Sequence, residues 1–229
     1  MADHTLRILS VSVNNLPVRV LMRAGGHDFE EVEMWGNKGT DEFLAKSPAD
    51  LTPLLEYEGL PKGSLWESCA IMQYICNRDG LDQFYPTDPA ERAMQDSAMF
   101  YVVGTLYPLI IRATYPTLGF PQYPGETATS EADAEVKAKS AQDAADAIAQ
   151  PLEAIHTHFL DGRKFIGGDS PSIADIRLAA SLEFLRTIDY DFPAWADEYM
   201  SAVESALGDA YSEPAADVRE MIASAKAPA

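Results

Sequence analysis

Glu67 and Ser68 stand at the predicted start of an apolar helix that ends near Asp79-Gly80, and both side chains can bind charged groups. Apolar residues recur along one face of this helix, at Ile71, Met72, Ile75 and Cys76. The free N–H groups and the positive dipole end of a helix favour an anion. Ser68 can therefore help to bind a carboxylate, and Glu67 can bind an ammonium group. The alternative is that Ser68 only caps its helix.

Thr52-Pro53, upstream of this pair, is the second informative segment. An X-Pro bond is the only peptide bond that readily becomes cis, and proline has no N–H. Pro53 opens a predicted short strand that ends at Tyr57, and a Gly-containing turn joins it to a second strand, Ser64–Trp66. Taken alone, Pro53 is also compatible with a proline that opens a strand after an ordinary turn.

Composition limits the possible partners. The chain has 229 residues and a formal net charge of −19, so nucleic acid and anionic membranes are not expected as partners. The longest apolar run, residues 98–111, is too short for a membrane span and predicts a buried helix kinked at Pro108. With 2 cysteines and no charged-then-apolar leader, a reducing, cytoplasmic location is expected.

The two cysteines are predicted to be buried core thiols. Cys69 and Cys76 lie on one predicted helix, about 10 Å apart along its axis, too far for a disulfide. The sequence contains no Cys-x-x-Cys motif, so redox chemistry is not predicted.

The remaining elements follow from local signals. A strand at residues 6–11 precedes a helix that begins at Asn14–Pro17 and stops at Gly25-Gly26, and a second strand (29–34) and a short helix (41–46) follow. Beyond a linker the chain is predicted to be all-helical, with helices over about 90–115, from about Ser130 to 161, after Ser172-x-x-Asp175, and over 193–207 and 213–225. Residues 119–125 are predicted to form a loop.

Three motifs in this order, Thr52-Pro53-Leu54-Leu55, Glu67-Ser68-x-Ala70-Ile71 and Ser172-x-Ala174-Asp175, resemble those of cytosolic-type glutathione transferases over nearly the whole chain. The resemblance implies an α/β plus all-α fold. A thioredoxin-like βαβαββα domain would occupy residues 1–79, a linker 80–89 and an all-helical substrate-binding domain 90–229. It also implies a homodimer, with the active site in the cleft between the two domains of each chain.

The same resemblance implies glutathione as the cosubstrate and no metal. Thr52, held by a cis Pro53, would pair its free backbone groups with the cysteinyl peptide, and Lys38 would bind the glycyl carboxylate. Glu67 and Ser68 would bind the γ-glutamyl end, and Leu51 would contact the same ligand.

The residue that activates the thiol departs from the family pattern. Serine-type members read Ser-x-Pro-Cys-Arg in the first strand-to-helix turn, and this chain reads Asn15-Leu16-Pro17-Val18-Arg19. Asn15 is therefore the expected donor to the glutathione sulfur, since an amide N–H₂ can donate although it cannot act as a base. Ser12, with Ser10 and Asn14, is an alternative donor. Asn15 is also compatible with a role as helix cap alone.

The electrophile is expected in a pocket formed by Asn14 and by the long helix, at Tyr101, Tyr107, Ile111, Arg112 and Tyr115. A cleft tyrosine, foremost Tyr107, would be catalytic if an epoxide opened to an alkoxide that needs a proton. The stretch Gly104–Pro108 is similar to bacterial glutathione transferases that conjugate isoprene or styrene epoxides. Two alternatives stay open: a glutathione-dependent isomerase of the maleylacetoacetate type, and a non-catalytic binding or scaffold protein.

Overall fold

The computed structural model describes residues 4–120 and 134–227. The first part of the chain forms a four-stranded sheet with the order β2-β1-β3-β4. Its strands are β1 (His4–Ile8), β2 (Phe29–Glu33), β3 (Leu54–Glu56) and β4 (Ser64–Trp66). β1 pairs in parallel with β2 and antiparallel with β3, and β3 pairs antiparallel with β4.

Three helices connect and follow these strands: α1 (Leu16–Ala24), α2 (Asp41–Lys46) and α3 (Ser68–Asp79). Pro17 lies in the first turn of α1, where its missing N–H costs nothing, and Gly80 ends α3 in the left-handed conformation. The order β1-α1-β2-α2-β3-β4-α3 confirms the predicted thioredoxin-like plan.

The rest of the described chain is helical. Its helices are α4 (Pro89–Tyr101), α5 (Tyr107–Thr114), α6 (Ala134–Ala147), α7 (Ala149–Ala154), α8 (Ile173–Glu183), α9 (Ala194–Leu207) and α10 (Asp209–Lys226). A single-turn π-helix, Val102–Leu106, joins α4 to α5, another extends α7 over Ile155–Leu160, and a 3₁₀ turn, Phe184–Thr187, follows α8. The predicted helix start near Ser130 and residues 121–125 of the predicted loop lie outside the described residues.

Two predicted helices differ from the observed ones. The predicted kink at Pro108 takes the form of the π turn at Val102–Leu106, because Pro108 cannot donate to the carbonyl four residues earlier and the preceding turn widens. The last helix begins at Asp209 rather than near Glu213 and contains Pro214. Gly208, with φ of 57°, separates it from α9 and marks the boundary between the two helices.

Residues 89–114 form one continuous helix of 26 residues, with a mean hydropathy of 1.2 over its most apolar window, which is compatible with a membrane span by length and composition alone. Of that window, 44% is buried inside the protein. Val102, Leu106 and Ile110 belong to a hydrophobic core that α1, α3 and α8 share. The helix therefore packs as a core helix that joins the sheet-containing part to the helical part.

The predicted capping box at Ser172 and Asp175 is confirmed. The fully buried Asp175 carboxylate accepts hydrogen bonds from the backbone N–H groups of Ile166, Gly167 and Ser172, at 2.7–2.9 Å. It also accepts from the hydroxyls of Ser172 and Tyr199, each at 2.7 Å. The box thus ties the start of α8 to the preceding turn and to α9.

Candidate active site

The pairing of the strands brings the predicted ligand-binding segments to one end of the sheet. Leu54 pairs with Trp66, so the next antiparallel positions set Pro53 beside Glu67 and Thr52 beside Ser68. Arg7 pairs with Leu54, which places the end of β1 next to the same proline. The turn that follows β1 therefore begins where the peptide-binding and anion-binding segments meet.

The Thr52–Pro53 peptide bond is cis, as the resemblance implied. Among the described residues, the Thr52 backbone N–H and C=O have no hydrogen-bond partner. Pro53 itself is buried, and Thr52 is half-buried. This leaves one donor and one acceptor available to an extended peptide.

Glu67 and Ser68 have a special geometry at the start of α3. Glu67 has φ of 77° and ψ of 113°, a region that a side chain other than glycine rarely occupies, and its side chain is exposed. Such strain is concentrated at functional sites. Ser68 is only 6% exposed and is the first helical residue rather than the cap, and no side chain caps α3. Helix capping therefore does not account for the Ser68 hydroxyl.

The turn after β1 presents its polar side chains in different directions. Ser12 is half-buried, and its Oγ accepts the Asn14 N–H at 3.3 Å. The Asn14 amide points toward the helical part, donating from Nδ2 to the Tyr107 hydroxyl at 2.8 Å. Asn15 is 0% exposed, and neither Nδ2 nor Oδ1 has a partner among the described residues. Asn15 precedes α1 without a side-chain capping bond, so capping does not explain it either.

A cavity of about 290 Å³ lies between this turn and the helical part. Its polar lining includes Ser12, Lys38 and Tyr115. Its other lining residues are apolar: Leu9, Val11, Trp35, Phe120, Phe184 and Met221. A mostly apolar cleft with a few polar groups is the usual form of a small-molecule site.

Most of that apolar lining was not found from the sequence. Trp35 is 53% exposed, whereas Phe184 and Met221 come from helical segments that are distant from it in sequence. No local sequence pattern links these three residues to one cavity. Of the predicted electrophile pocket, Tyr115 lines the cavity and Tyr107 lies behind it, with the two hydroxyl oxygens 3.3 Å apart. Burial, with the neighbouring Tyr115, raises the pKa of Tyr107 well above its ordinary value.

Other predicted pocket residues lie elsewhere. Tyr101 packs on Phe159, with ring centroids 5.9 Å apart. Arg112 lines a separate groove between α5 and α6. Ile111 is half-buried on α5, next to Arg112 in the chain. The π turn between α4 and α5 changes which residues share a face of this long helix. A prediction from regular α-helical spacing does not take that turn into account.

Two residues of the predicted glutathione-binding set come from loops. Lys38 Nζ lies 4.0 Å from an Asp50 carboxylate oxygen and lines the cavity. Leu51, 46% exposed, precedes Thr52. The Lys38 ammonium group therefore lies at the cleft. Leu51 presents an apolar side chain beside the free backbone groups of Thr52.

Arg177, on α8, is a site residue that sequence reasoning missed. It is 1% exposed and donates to the Val13 carbonyl at 3.1 Å and to Asn14 Oδ1 at 2.8 Å. Its guanidinium also lies over the Tyr107 ring, 5.0 Å from the centroid. An arginine inside an otherwise apolar helix was the available signal, because a buried cation must have partners.

The cysteines behave as predicted. Both are free thiols; Cys76 is buried and Cys69 is partly buried. Burial raises the pKa of Cys76 to about 12 and also raises the pKa of Cys69. Neither thiol is therefore activated. Within residues 4–120 and 134–227, no group of three or more His, Cys, Asp or Glu side chains could hold a metal ion.

A thioredoxin-like sheet with a cis proline, a strained helix start and an adjoining helical domain are together the features of the glutathione transferase fold. Comparison with known families gives the same class. The "Glutathione S-transferase, N-terminal domain" matches residues 5–77, and the "Glutathione S-transferase, C-terminal domain" matches residues 138–205. Together they cover more than half of the chain, which belongs to the soluble glutathione S-transferase family.

Solved structures agree. A glutathione transferase from the silkworm Bombyx mori is 27% identical, with 97% of each chain covered and a TM-score of 0.80. A delta-class glutathione transferase from Nilaparvata lugens is 26% identical, covering 97% of this chain and 100% of that one, with a TM-score of 0.74. Human glutathione S-transferase T1-1, at 21% identity, 96% and 91% coverage and a TM-score of 0.79, shares the fold. The chain is thus a glutathione S-transferase with glutathione as its cosubstrate.

Proposed function

We propose that this transferase conjugates the glutathione thiolate to a small hydrophobic electrophile in the cavity beside Ser12 and Tyr115. The observation that carries the proposal is that the segments expected to bind glutathione lie next to the cavity. The free backbone groups of Thr52 and the start of α3 lie at the same end of the sheet as the turn that contributes Ser12 to the cavity. Glutathione anchored at that end would extend its thiol toward an apolar space.

Each end of glutathione has a matching group. Thr52, set by Pro53, pairs with the cysteinyl backbone, and Leu51 lies against it. Ser68 and the N-terminus of α3 bind the γ-glutamyl carboxylate, and Glu67 binds its ammonium group. Lys38 binds the glycyl carboxylate at the cleft.

The sulfur donor belongs to the Ser12–Asn15 turn. Ser12 lines the cavity, and its oxygen already accepts the Asn14 N–H, so its own proton remains available for a thiolate. Asn15 has an unpartnered amide donor, but its complete burial means that sulfur would reach it only if the turn opened. This difference in exposure favours Ser12 over Asn15. A donor aimed at sulfur lowers the thiol pKa from about 8.5, with each unit worth about 1.4 kcal/mol.

We include small epoxides, such as those of isoprene or styrene, among the electrophiles. The thiolate attacks a ring carbon, the carbon–oxygen bond breaks, and its electron pair stays on oxygen as an alkoxide. Tyr115, whose side chain lines the cavity, donates the proton that this oxygen needs and recovers one from water. Tyr107 supports Tyr115 from behind, with the two hydroxyl oxygens 3.3 Å apart.

The assembly and setting belong to the same proposal. A homodimer belongs to the proposal because two-domain proteins of this family usually form dimers. The domain limits are 1–79 and 90–229, with a linker at 80–89, and the expected location is the cytoplasm. A net charge of −19 supports neither nucleic acid nor an anionic membrane as partner.

The test is product formation with a panel of reagents. Purified protein and glutathione are incubated with styrene oxide, with iodomethane or with maleylacetone, and adducts and free thiol are measured by mass spectrometry and thiol titration. We expect adducts with loss of free thiol, strongly reduced in Ser12→Ala and unchanged in Ser201→Ala, a distant serine on α9. Isomerised maleylacetone without thiol loss would instead identify an isomerase. Saturable glutathione binding with no product would identify a scaffold protein.

A further inference from the structure

We propose that a partly buried relay, Arg177–Asn14–Tyr107, fixes the direction in which Tyr115 presents its hydroxyl proton to the cleft. Tyr115 is then a catalytic donor to any oxyanion that forms on the electrophile, whether from an epoxide or from an activated carbonyl. This inference rests on the proposed function and deepens it, because it assigns roles to three residues that do not line the cavity.

Arg177 sets the orientation of the Asn14 amide. A guanidinium can only donate, so the atom of Asn14 that lies 2.8 Å from Arg177 must be the carbonyl oxygen, Oδ1. The amide nitrogen therefore points the other way, to the Tyr107 hydroxyl oxygen at 2.8 Å. The usual ambiguity between the oxygen and nitrogen of an amide is removed by chemistry at this position.

The amide in turn sets the direction of the Tyr107 hydroxyl. Its oxygen accepts from Asn14, and we infer that its own proton is given to another acceptor. Among the described residues that acceptor is the Tyr115 hydroxyl oxygen, 3.3 Å away. This separation is longer than the common 2.7–2.8 Å between hydroxyl oxygens, so the contact orients Tyr115 without holding it rigidly. Burial raises the pKa of Tyr107, which keeps its proton throughout the neutral range.

Tyr115 is the end of the relay and the one member that reaches the cavity. Its oxygen accepts from Tyr107, so its own proton is left to point into the cleft, and donors in series strengthen one another. With an enone, the thiolate adds to the β-carbon, the double-bond electrons move to the carbonyl oxygen, and Tyr115 protonates the resulting enolate. With an alkyl iodide, iodide leaves with the bonding pair and no oxygen needs a proton.

Arg177, Asn14 and Tyr107 are accordingly positioning residues, since none of them touches the electrophile. A purely structural role is the alternative, because Arg177 also donates to the Val13 carbonyl and so joins α8 to the turn after β1. A direct test must reverse the relay without removing that connection. Asn14→Asp does so: the new carboxylate still accepts from Arg177 but accepts from Tyr107 as well. Tyr107 must then accept from Tyr115, and the proton of Tyr115 turns away from the cleft.

The first readout is spectroscopic and needs no substrate. The protein is labelled with ¹³C at the Cζ of tyrosine, and the resonances of Tyr107 and Tyr115 are assigned with the two Phe variants. In Asn14→Asp we expect both resonances to move, because each hydroxyl exchanges donor for acceptor. Tyr190→Phe, a tyrosine outside the relay, should leave them in place. An unmoved Tyr115 resonance in folded Asn14→Asp protein overturns the relay.

The second readout is kinetic and uses matched electrophiles. We expect the ratio of kcat with a simple enone to kcat with iodomethane to fall by roughly tenfold or more in Asn14→Asp and Tyr115→Phe, and to keep its wild-type value in Tyr190→Phe. Equal losses with both electrophiles would mean a structural role and overturn the inference. If the wild-type protein conjugated neither electrophile, the proposed function would fail, and the tyrosine resonances would still decide whether the relay exists.

Discussion

Replacing Asp175 with alanine should destabilise this protein far more than an ordinary helix-cap mutation. The carboxylate is 0% exposed and accepts five hydrogen bonds, three from backbone N–H groups and two from hydroxyls. The hydroxyls can rotate toward other acceptors, but the three N–H groups are fixed by the turn before α8. The cost therefore comes mainly from donors that are left buried and unpaired.

The magnitude follows from those three donors. Each buried donor left unpaired costs about 1–3 kcal/mol, and removing the desolvated carboxylate returns part of that sum. We expect a net loss of about 3–5 kcal/mol, against about 1 kcal/mol for Ser172→Ala, which removes only a capping hydroxyl. In a chain of this length, such a loss lowers Tm by roughly 10 °C.

Urea unfolding followed by circular dichroism measures both variants, with Asp197→Ala as the control. Asp197 is half-exposed and pairs with Arg186 at the surface, 3.1 Å away, so its loss should change the free energy of unfolding by less than about 0.5 kcal/mol. A loss of about 1 kcal/mol or less for Asp175→Ala, or one equal to that of Ser172→Ala, would refute the reasoning.

Three further predictions follow from burial and charge. Ser68→Ala should weaken glutathione binding by roughly 10- to 100-fold in calorimetric titration, since a hydrogen bond to a charged group is lost, and should leave Tm nearly unchanged because Ser68 caps no helix. Glu31 is half-buried, which opposes ionisation, but hydrogen bonds from Arg19 and Arg23 outweigh this partial burial and lower its pKa. Its contribution to stability should therefore be present at neutral pH and disappear as the pH falls below the ordinary value of 4.5, so the gap in unfolding free energy between wild type and Glu31→Gln should narrow there. Cys76, with a pKa of about 12, should react with Ellman's reagent only on unfolding.

Each of these three predictions would be contradicted by a specific result. Unchanged glutathione affinity in Ser68→Ala would remove that hydroxyl from the γ-glutamyl site. A stability gap for Glu31→Gln that stays constant from pH 7 to acid would mean that the ion pairs with α1 contribute nothing. Rapid labelling of Cys76 in the folded protein, measured against Cys76→Ala, would contradict its burial.

The parts of the site that sequence reasoning predicted are those set by local chain chemistry. Pro53 can be cis because of its own ring, and Ser68 is at a helix start because the apolar pattern begins there. The capping box at Ser172 likewise depends on residues three apart. Such features are visible in any stretch of sequence that is long enough to contain them.

The remaining parts depend on contacts between distant segments. Arg177 reaches the turn after β1 across 163 positions of sequence, and no local pattern announces its partner. Asn15 matches the family position by alignment, yet the packing of α1 buries its amide completely. Tyr115 lines the cavity whereas Tyr101 packs on Phe159, although the sequence placed both in one pocket. These outcomes required the tertiary structure.

The thiol pKa of bound glutathione tests whether the Ser12 hydroxyl donates to the sulfur. Ultraviolet difference titration follows thiolate absorbance against pH in the wild-type complex and in Ser12→Ala and Asn15→Ala. With Ser12 as the donor, we expect a thiol pKa well below 8.5 that rises in Ser12→Ala and changes little in Asn15→Ala. A rise in Asn15→Ala alone would move the donor to the buried amide. Saturable binding with an ordinary thiol pKa in the wild-type protein would contradict the account.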